Sequence, residues 1–328
     1  MCIMWRSTGS RCARRGRVNG NGILALSYVG APVQLMRRRK YKTILLVLLP
    51  ILSGCFVRTR TVKQAKMPGV VMTATADELV QTINKQCQEI HSLSATVEFQ
   101  ATEGGPRKGK EKTYISFSGY ILLRKPESLR VIGLVPVLRT RAFDMASDGN
   151  TFKLLIPSRN KVIVGTNMVT KESSNALENM RPNIFFDSLL IDCIKADELL
   201  TLTADTETKV DPKSKQLMID PQYDLTVGLR KPDSQEIIAK RVIHFSRIDL
   251  HTVQEDIYDA KGEIQTTAVY GPLQTFGHHQ FPGTITIKRP LEEYQIVITV
   301  QKIEVNLTLE DAQFEIEIPA GTQVVKLQ

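Results

Sequence analysis

The chain has 328 residues, 42% of them hydrophobic, with 43 lysines and arginines against 34 aspartates and glutamates and a formal charge of +9. Ten of the basic residues and none of the acidic ones lie in residues 1–54, which leaves 33 basic against 34 acidic residues from residue 55 onward. The rest of the chain is therefore nearly neutral. This excludes the basic surface that a nucleic-acid-binding domain needs, and no nucleic-acid partner is expected.

A basic stretch and a short apolar stretch follow each other near the N-terminus. Residues 36–42 read MRRRKYK, and residues 43–55 read TILLVLLPILSGC. A membrane-spanning helix needs about 20 apolar residues, whereas this run is shorter and contains Pro50. A basic segment, a short apolar segment and small residues before a cleavage site are typical of a secretory signal. The sequence therefore predicts a signal peptide over residues 36–54.

The end of the apolar run, Leu52-Ser53-Gly54-Cys55, resembles the bacterial lipobox. The resemblance implies cleavage between Gly54 and Cys55 and a diacylglycerol on the sulfur of Cys55, with no other cofactor. The alternative is a buried core helix that ends in a chance cysteine. Residues 1–35 precede the methionine at which such a signal begins. We interpret them either as an incorrectly assigned start that lies too far upstream or as an extra N-terminal extension.

Residues 55–74 follow as the lipidated cysteine and a tether with little periodicity, and residues 75–328 are predicted to form one domain. Two cysteines, Cys87 and Cys193, lie in that domain. An oxidising compartment permits a disulfide between them. Their separation in sequence does not show whether they meet, and two buried free thiols are the alternative.

Two helices are predicted in the domain. Thr75-Ala-Asp-Glu78 fits a capping box at the start of the first helix. Apolar residues then recur at spacings of four and three, at Leu79, Ile83, Cys87 and Ile90. The second helix is predicted from an apolar stripe at Phe186, Leu189, Leu190, Cys193 and Ile194.

Most of the remaining chain has the period of two that is typical of β-strands. One stretch, TRAFDMASDGNTFKLLIP, predicts a hairpin that turns at Asp148-Gly149-Asn150. The clearest alternation is in AQFEIEIP near the C-terminus, where Phe314, Ile316 and Ile318 share one face. About ten antiparallel strands and two helices predict a mainly β (α+β) domain, built as a curved sheet or barrel.

The order of these elements resembles the LolA/LolB superfamily of periplasmic lipoprotein carriers. The segments that carry the resemblance are ELVQTINKQCQEIHSLSATVEFQ, SGYILLRKPESLRV, DGNTFKLLIPSRNKVIVG and the closing FPGTITIKRP with VNLTLEDAQFEIEIPAG. The resemblance implies an incomplete antiparallel β-barrel with a helical lid around a hydrophobic cavity, which shields acyl chains without changing them. Residues 195–215 have no counterpart in that family.

One apolar loop is a candidate binding element. The stretch GLVPVLRT places Leu134, Val135, Pro136, Val137 and Leu138 where a strand should turn. It resembles the position of an exposed hydrophobic loop in LolB-like members, which implies contact with membrane or cargo. The alternative is a buried edge strand, in which Pro136 is tolerated.

The sequence gives no strong sign of an enzyme. The motifs GxSxG, HExxH, CxxC and the P-loop do not occur in the domain. The adjacent His278 and His279 are expected to point to opposite faces of a strand and are interpreted as solvated loop residues rather than metal ligands. The aspartates at 224, 249, 256 and 259 have no paired spacing and are interpreted as surface carboxylates. A non-enzymatic protein is therefore predicted, with an unrecognised enzyme as a further alternative.

These patterns together predict a lipid-anchored periplasmic protein that binds lipid or the acyl chains of lipoproteins in a hydrophobic cavity. The alternative is a structural or envelope-assembly lipoprotein of the same fold, with a cavity filled by its own side chains. The expected partners are membrane lipid and either lipoprotein acyl chains or a periplasmic carrier. Phe56, rather than aspartate, follows Cys55, which by the sorting rule of bacterial lipoproteins implies the outer membrane, facing the periplasm.

Overall fold

A computed structural model describes residues 59–167, 181–211 and 214–327. The chain separates into two compact units, residues 1–62 and residues 63–328, and the fold described below is that of the second. Gly54, Cys55 and the rest of the proposed signal lie outside the described residues. The signal peptide, the lipidation site and the N-terminal extension therefore stay predictions.

The described part contains two α-helices, α1 (Ala76–Glu89) and α2 (Pro182–Leu189). Helix α1 begins at the predicted capping box, where the Glu78 amide donates to the Thr75 hydroxyl at 3.3 Å and the Thr75 amide donates to the Glu78 carboxylate at 2.8 Å. This reciprocal pair satisfies amides that have no partner inside the first turn. The predicted start of the helix is confirmed.

Helix α2 is shorter than the apolar stripe predicts. It ends at Leu189 because Leu190 adopts an extended backbone, so Cys193 and Ile194 lie beyond the helix. Leu190 and Ile194 are nevertheless buried. The stripe thus identified residues that face the core, but the chain buries the last of them in an extended segment.

The described part also contains seventeen strands. They are β1 (Ser92–Gly105), β2 (Lys110–Thr113), β3 (Phe117–Arg124), β4 (Ser128–Leu134), β5 (Arg141–Ser147), β6 (Thr151–Ile156), β7 (Lys161–Thr166), β8 (Leu199–Val210), β9 (Leu217–Arg230), β10 (Ile237–Ser246), β11 (Thr252–Tyr258), β12 (Ile264–Tyr270), β13 (Leu273–Phe276), β14 (His279–Pro282), β15 (Thr284–Arg289), β16 (Tyr294–Val305) and β17 (Gln323–Lys326). The hairpin predicted to turn at 148–150 is confirmed by β5 and β6.

Fifteen of these strands form one sheet, in the order β17-β7-β6-β5-β4-β3-β1-β16-β15-β12-β11-β10-β9-β8, with β2 paired to β1. Strands β13 and β14 form a separate hairpin. Neighbours in the sheet are antiparallel except β17 and β7, which are parallel. The end strands β17 and β8 are not paired with each other in the described part, so the sheet is open. The predicted mainly β fold, an incomplete antiparallel barrel, is confirmed.

The inner face of the sheet, the face that packs against the helices, carries most of the core. Near the end of the barrel where β3 begins and β4 ends, called here the upper end, four aromatic rings pack together. Phe99 lies 5.4 Å from Phe117 and 6.5 Å from Phe185, and Phe117 lies 6.0 Å from Phe143, between ring centroids. The upper end of the interior is therefore occupied by the protein's own side chains.

Two glycines make room for these rings. Gly119 of β3 and Gly133 of β4 are paired directly across the two strands. A Cβ atom at Gly119 would lie 2.5 Å from the Phe99 ring, and one at Gly133 would lie 2.3 Å from the Phe143 ring. Atoms cannot approach so closely in a packed interior, and the rings depend on the absence of side chains at both positions.

The C-terminal segment AQFEIEIP does not form the strand that its alternation predicts. A 3₁₀ helix covers Asp311–Phe314, and residues 315–321 pair with no strand. Phe314 and Ile316 are buried, whereas Ile318 is 39% exposed. Ile316 packs with Ala146 and Val162, on the sheet face opposite to the main core. The alternation thus reports burial against a sheet face rather than pairing at a sheet edge.

Strand β8 was not predicted, and it lies within the segment 195–215 that has no counterpart in the LolA/LolB superfamily. All of its residues except Leu202 are exposed. It is the terminal strand of the sheet and pairs only with β9 in the described part. A strand with so little burial has almost no hydrophobic alternation, because neither of its faces is well covered.

Cys87 and Cys193 form a disulfide, which decides between the two alternatives that the sequence left open. Cys87 lies in the last turn of α1, and Cys193 lies four residues after α2. The bond closes a loop with a sequence separation of 106 residues, which contains strands β1 to β7 and helix α2. It therefore fixes the two helical segments to each other across the inner face of the sheet.

Removing this disulfide is expected to lower the free energy of unfolding by about 2–5 kcal/mol, because the unfolded chain then regains the entropy of a loop of about 100 residues. The measurement is urea denaturation of the Cys87→Ser, Cys193→Ser and double variants. Dithiothreitol should destabilise the wild-type protein to a similar extent and should leave the double variant unchanged. A double variant as stable as the oxidised wild type would contradict the prediction.

Candidate functional site

A cleft of about 500 Å³ opens at the lower end of the barrel, where β3 ends and β4 begins. It lies between the last turn of α1, the end of α2, the β13–β14 hairpin and the end of β16. Its apolar lining comes from all of these elements and from β12, at Ile90, Leu189, Leu190, Ile191, Tyr270, Leu273, Phe281, Ile303 and Val305. The volume is within the range of roughly 300–1,000 Å³ found for small-molecule sites.

The β13–β14 hairpin forms one wall of this cleft. Its two strands are joined by Gly277 and His278, since Phe276 pairs with His279, and Gly277 has a φ of +62° that glycine adopts without strain. Phe281 is buried and packs into the main core, with Phe276 partly buried beside it. These two rings hold the hairpin against the body of the protein.

Lys125 lies at the lower end of the cleft, directly after β3. Its backbone amide donates to the carbonyl of His91 at 2.9 Å, which fixes the position of the residue. Its ammonium group is partly buried and donates to the backbone carbonyl of Cys87, with the Cys87 sulfur at 3.4 Å. Burial lowers the pKa of Lys125, and the nearby charge of Asp192 opposes this effect.

A buried arginine holds the disulfide segment against the sheet. Arg241 of β10 donates to the backbone carbonyls of Asp192 at 3.0 Å and Cys193 at 3.3 Å, and it forms an ion pair with Glu255 of β11 at 3.2 Å. The Tyr270 hydroxyl lies 3.4 Å from the other Glu255 oxygen. A chain of polar contacts therefore connects the disulfide segment to Tyr270 in the wall of the cleft.

Asp187 is a partly buried carboxylate on α2. No hydrogen bond or ion pair joins it to another residue in the described ranges. Burial raises its pKa to about 7, the negative charges of Asp192 and Glu255 add to the shift, and Arg241 opposes it. The folded protein thus holds this side chain with a proton at mildly acidic pH.

His244 connects two carboxylates that the sequence analysis interpreted as ordinary surface groups, and that interpretation is wrong for both. Its Nδ1 lies 2.8 Å from Asp224, and its Nε2 lies 3.1 Å from Asp256. Burial acts to lower the pKa of His244, but the hydrogen bonds to Asp256 and Asp224 outweigh it, so the pKa is raised. Both ring nitrogens are occupied, so neither is free to accept a proton from a nucleophile. We therefore infer that His244 and its two aspartates stabilise the pairing of neighbouring strands.

The candidate apolar loop lies at the upper end, between β4 and β5. Leu134 is the last residue of β4 and is buried, and Val135 is partly buried. Pro136 is exposed, as are Val137 at 97% and Leu138 at 73%. Val137 has a φ of +68°, which is a rare conformation for a β-branched residue. The loop therefore presents two apolar side chains to solvent, while Leu134 belongs to the core.

A second exposed apolar segment, between β2 and β3, was missed from the sequence. Tyr114 and Ile115 lie between β2, which ends at Thr113, and β3, which begins at Phe117 at the upper end. Ile115 is 82% exposed, and Lys112 lies over the ring of the adjacent Tyr114 at 4.5 Å. The available signal is the apolar pair Tyr114-Ile115, directly before β3.

The cleft and the two exposed segments lie at opposite ends of the barrel. Lys125 precedes β4 by three residues and Val137 follows it by three. At about 3.3 Å per residue, the seven residues of β4 separate the two ends by roughly 20 Å. A group that contacts Val137 therefore cannot reach into the cleft without passing along the barrel.

Residues 59–167, 181–211 and 214–327 contain neither a membrane-spanning helix nor a cluster of metal-binding side chains. None of the helices in these ranges is long and apolar enough to span a membrane. They contain no group of three or more histidine, cysteine, aspartate or glutamate side chains that could hold a metal ion. His278 and His279 are exposed at the rim of the cleft.

No family model and no curated protein matches the chain. Among solved structures, a LolA superfamily protein from Nitrosomonas europaea matches with 13% identity and a TM-score of 0.44, over 74% of this chain and 98% of its own. A DUF1329 family protein from Desulfovibrio piger matches with 15% identity and a TM-score of 0.45, over 73% and 95%. An outer membrane lipoprotein-sorting protein domain from Vibrio parahaemolyticus matches with 10% identity and a TM-score of 0.41, over 72% and 94%.

One of these structures is described as a member of the superfamily that the sequence segments resemble. The likeness concerns the fold alone.

The raised pKa of Asp187 makes stability depend on pH. An unfolded chain ionises this residue near pH 4, whereas the folded chain does so near pH 7. Its contribution to stability is therefore complete below about pH 4 and is lost as the pH rises to 7. Asp187→Asn should remove this loss. The change in the free energy of unfolding caused by the substitution should therefore be more favourable at pH 8 than at pH 5, by roughly 2 kcal/mol.

The measurement is urea denaturation of wild type and Asp187→Asn at both pH values. Asp197→Asn, at an exposed position, is the matched control and should show no such difference. Equal stability changes for the two variants at both pH values would contradict the assignment.

Proposed function

We propose that the protein is a lipid-anchored, non-enzymatic component of the bacterial cell envelope that holds an acyl chain in the cleft at the lower end of its barrel. The observation that carries the proposal is the cleft itself, with apolar residues from two helical segments, a hairpin and the sheet around about 500 Å³. Each buried CH₂ group contributes about 0.8 kcal/mol. An apolar cleft of this size retains an acyl chain without any catalytic group.

The arrangement of polar groups supports binding rather than catalysis. The histidine with two carboxylate partners, His244, has both ring nitrogens engaged. In the buried ion pair, Arg241 donates to two backbone carbonyls and Glu255 contacts the Tyr270 hydroxyl. These contacts stabilise the fold. We therefore propose no reaction for this protein.

The lipobox-like sequence supports attachment to a membrane. Leu52-Ser53-Gly54-Cys55 follows a basic and an apolar segment, in the order of a lipoprotein signal. We propose that Cys55 carries the lipid and that residues 55–74 connect it to the barrel. The residue after the cysteine, Phe56, favours the outer membrane, with the barrel in the periplasm.

The upper end supports a second contact with membrane or cargo. Val137 and Leu138 are solvent-exposed, Arg139 is exposed next to them, and Ile115 is exposed just before β3, which begins at the same end of the barrel. Apolar side chains flanked by cations are suited to the interface of a membrane with anionic lipids. We propose that this end inserts into a lipid surface or contacts an acylated protein.

The alternative is a structural or envelope-assembly role without a bound lipid. The aromatic cluster of Phe99, Phe117, Phe143 and Phe185 favours it, because these rings already fill the upper end of the interior. The two roles differ in whether the lower cleft is occupied by a ligand, and this is measurable.

Filling the cleft should abolish acyl-chain binding. We expect Val305→Trp to weaken binding at least tenfold, because the larger side chain displaces part of the acyl chain from the cleft. Each displaced CH₂ group costs about 0.8 kcal/mol, and two of them are sufficient for a tenfold change. The measurement is displacement of the neutral fluorophore N-phenyl-1-naphthylamine by dodecanol, in the full chain carrying Cys55→Ala. Val210→Trp, at an exposed position on β8, is the matched control. Absence of binding by the parent chain would favour the assembly role.

Charges at the upper end should weaken membrane association. We expect Val137→Glu combined with Leu138→Glu to reduce binding to phosphatidylcholine–phosphatidylglycerol vesicles at least tenfold, because burial of one such side chain contributes about 1.5–3 kcal/mol. The measurement is vesicle co-sedimentation of the chain with Cys55→Ala. Val210→Glu combined with Val324→Glu, at exposed positions elsewhere, is the control. If both pairs bind vesicles equally well, the upper end is not a membrane contact.

A further inference from the structure

The cleft is not uniformly apolar, because its lining includes a partly buried charged group. Lys125 lies at its lower end, and its ammonium group is partly buried. No carboxylate lies within 4 Å of that ammonium in the described ranges, although the protein forms many ion pairs elsewhere. Asp192 supplies a nearby negative charge, but it does not contact the ammonium. A charge that is partly removed from water without a contacting counter-ion is unfavourable.

The ammonium group of Lys125 has capacity for a further partner. An ammonium has three hydrogen-bond donors, and one of them is used by the backbone carbonyl of Cys87. The other close atom is the Cys87 sulfur at 3.4 Å, which is a weak acceptor in a disulfide. Strong acceptors for the remaining donors must therefore come from water or from a ligand.

The other polar groups near this end of the cleft do not neutralise the lysine. Glu89 lines the cleft, but its side chain is 60% exposed and lies 3.9 Å from Lys85 on the same helix. His278 and His279 lie at the rim on the hairpin turn, and a neutral imidazole donates one hydrogen bond. The rim thus adds donors, while the walls formed by residues such as Leu190 and Ile303 are apolar.

We propose that the cleft takes an anionic amphiphile, with the acyl chain along the apolar walls and a carboxylate or phosphate on the ammonium group of Lys125. This inference rests on the proposed function, since it assigns the ligand class of the same cleft. A charge-assisted hydrogen bond is stronger than a neutral one. The cleft therefore selects a fatty acid or a phosphate-bearing lipid over a neutral lipid of equal chain length.

The test compares three probes of equal chain length, dodecanoate, dodecyl phosphate and dodecanol, by displacement of N-phenyl-1-naphthylamine below their micelle concentrations. The protein is the full chain with Cys55→Ala. Both anions are expected to bind at least tenfold more tightly than dodecanol. The relative affinity of dodecanoate and dodecyl phosphate distinguishes a fatty acid from a phosphate-bearing lipid as the preferred source.

Two variants separate the charge from the shape of Lys125. Lys125→Met keeps an apolar stem of similar length, and it should remove the preference for dodecanoate and dodecyl phosphate over dodecanol. Lys125→Arg keeps the charge and should retain the preference. Thermal unfolding of each variant checks the fold. If a variant is unstable, the parent chain still tests the proposal. It should prefer dodecanoate to dodecanol, and this preference should weaken at high salt.

The possible results have distinct meanings. Equal affinity for all three probes, unchanged in Lys125→Met, would overturn the anion site and leave the proposed acyl-chain binding intact. Binding of none of the probes would overturn both. A preference for anions that persists in Lys125→Met would also overturn the assignment to Lys125.

Discussion

The rest of the structure depends on the need to cover one apolar face of an open sheet. Fifteen strands form the sheet without closing it in the described part, so its inner face is not sealed by the strands themselves. Two short helices and the segment after α2 cover that face, and the Cys87–Cys193 disulfide joins them. A helix of eight residues such as α2 has little stability of its own. Its position is therefore set by burial of its apolar residues and by the covalent bond beside it.

The way in which this face is covered creates two different ends. At the upper end, the phenylalanine cluster packs between sheet and helix beside the glycine pair Gly119 and Gly133. At the lower end, the β13–β14 hairpin extends the wall away from the sheet, and a cleft remains between it and α1. The proposed functions follow this division, with ligand binding at the open end and surface contact at the filled end.

The buried polar groups have a common role in this arrangement. Arg241 binds backbone carbonyls of the disulfide segment and reaches Glu255, which in turn contacts Tyr270 in the cleft wall. Hydrogen bonds compensate the burial of such a pair, and both terminal nitrogens of Arg241 make them, whereas its buried Nε has no partner in the described part. Lys125 differs from Arg241 because no carboxylate lies within 4 Å of it in the described part, and it faces a space that a ligand is able to enter. This contrast is the physical basis for assigning one cation to structure and the other to binding.

The sequence by itself determined the fold class, the capping box at Thr75, most of the antiparallel strands and the residues that face the core. These features depend on local hydrogen bonds and on hydrophobic periodicity, which a single sequence shows directly. Only the tertiary structure decided that Cys87 meets Cys193, that Asp224 and Asp256 share His244, and that Lys125 and His278 lie at one cleft, because these residues are brought together by strand pairing over long separations. It also decided where periodicity misleads: Phe314 and Ile316 alternate because they pack on a sheet face, and β8 shows no pattern because both of its faces are exposed.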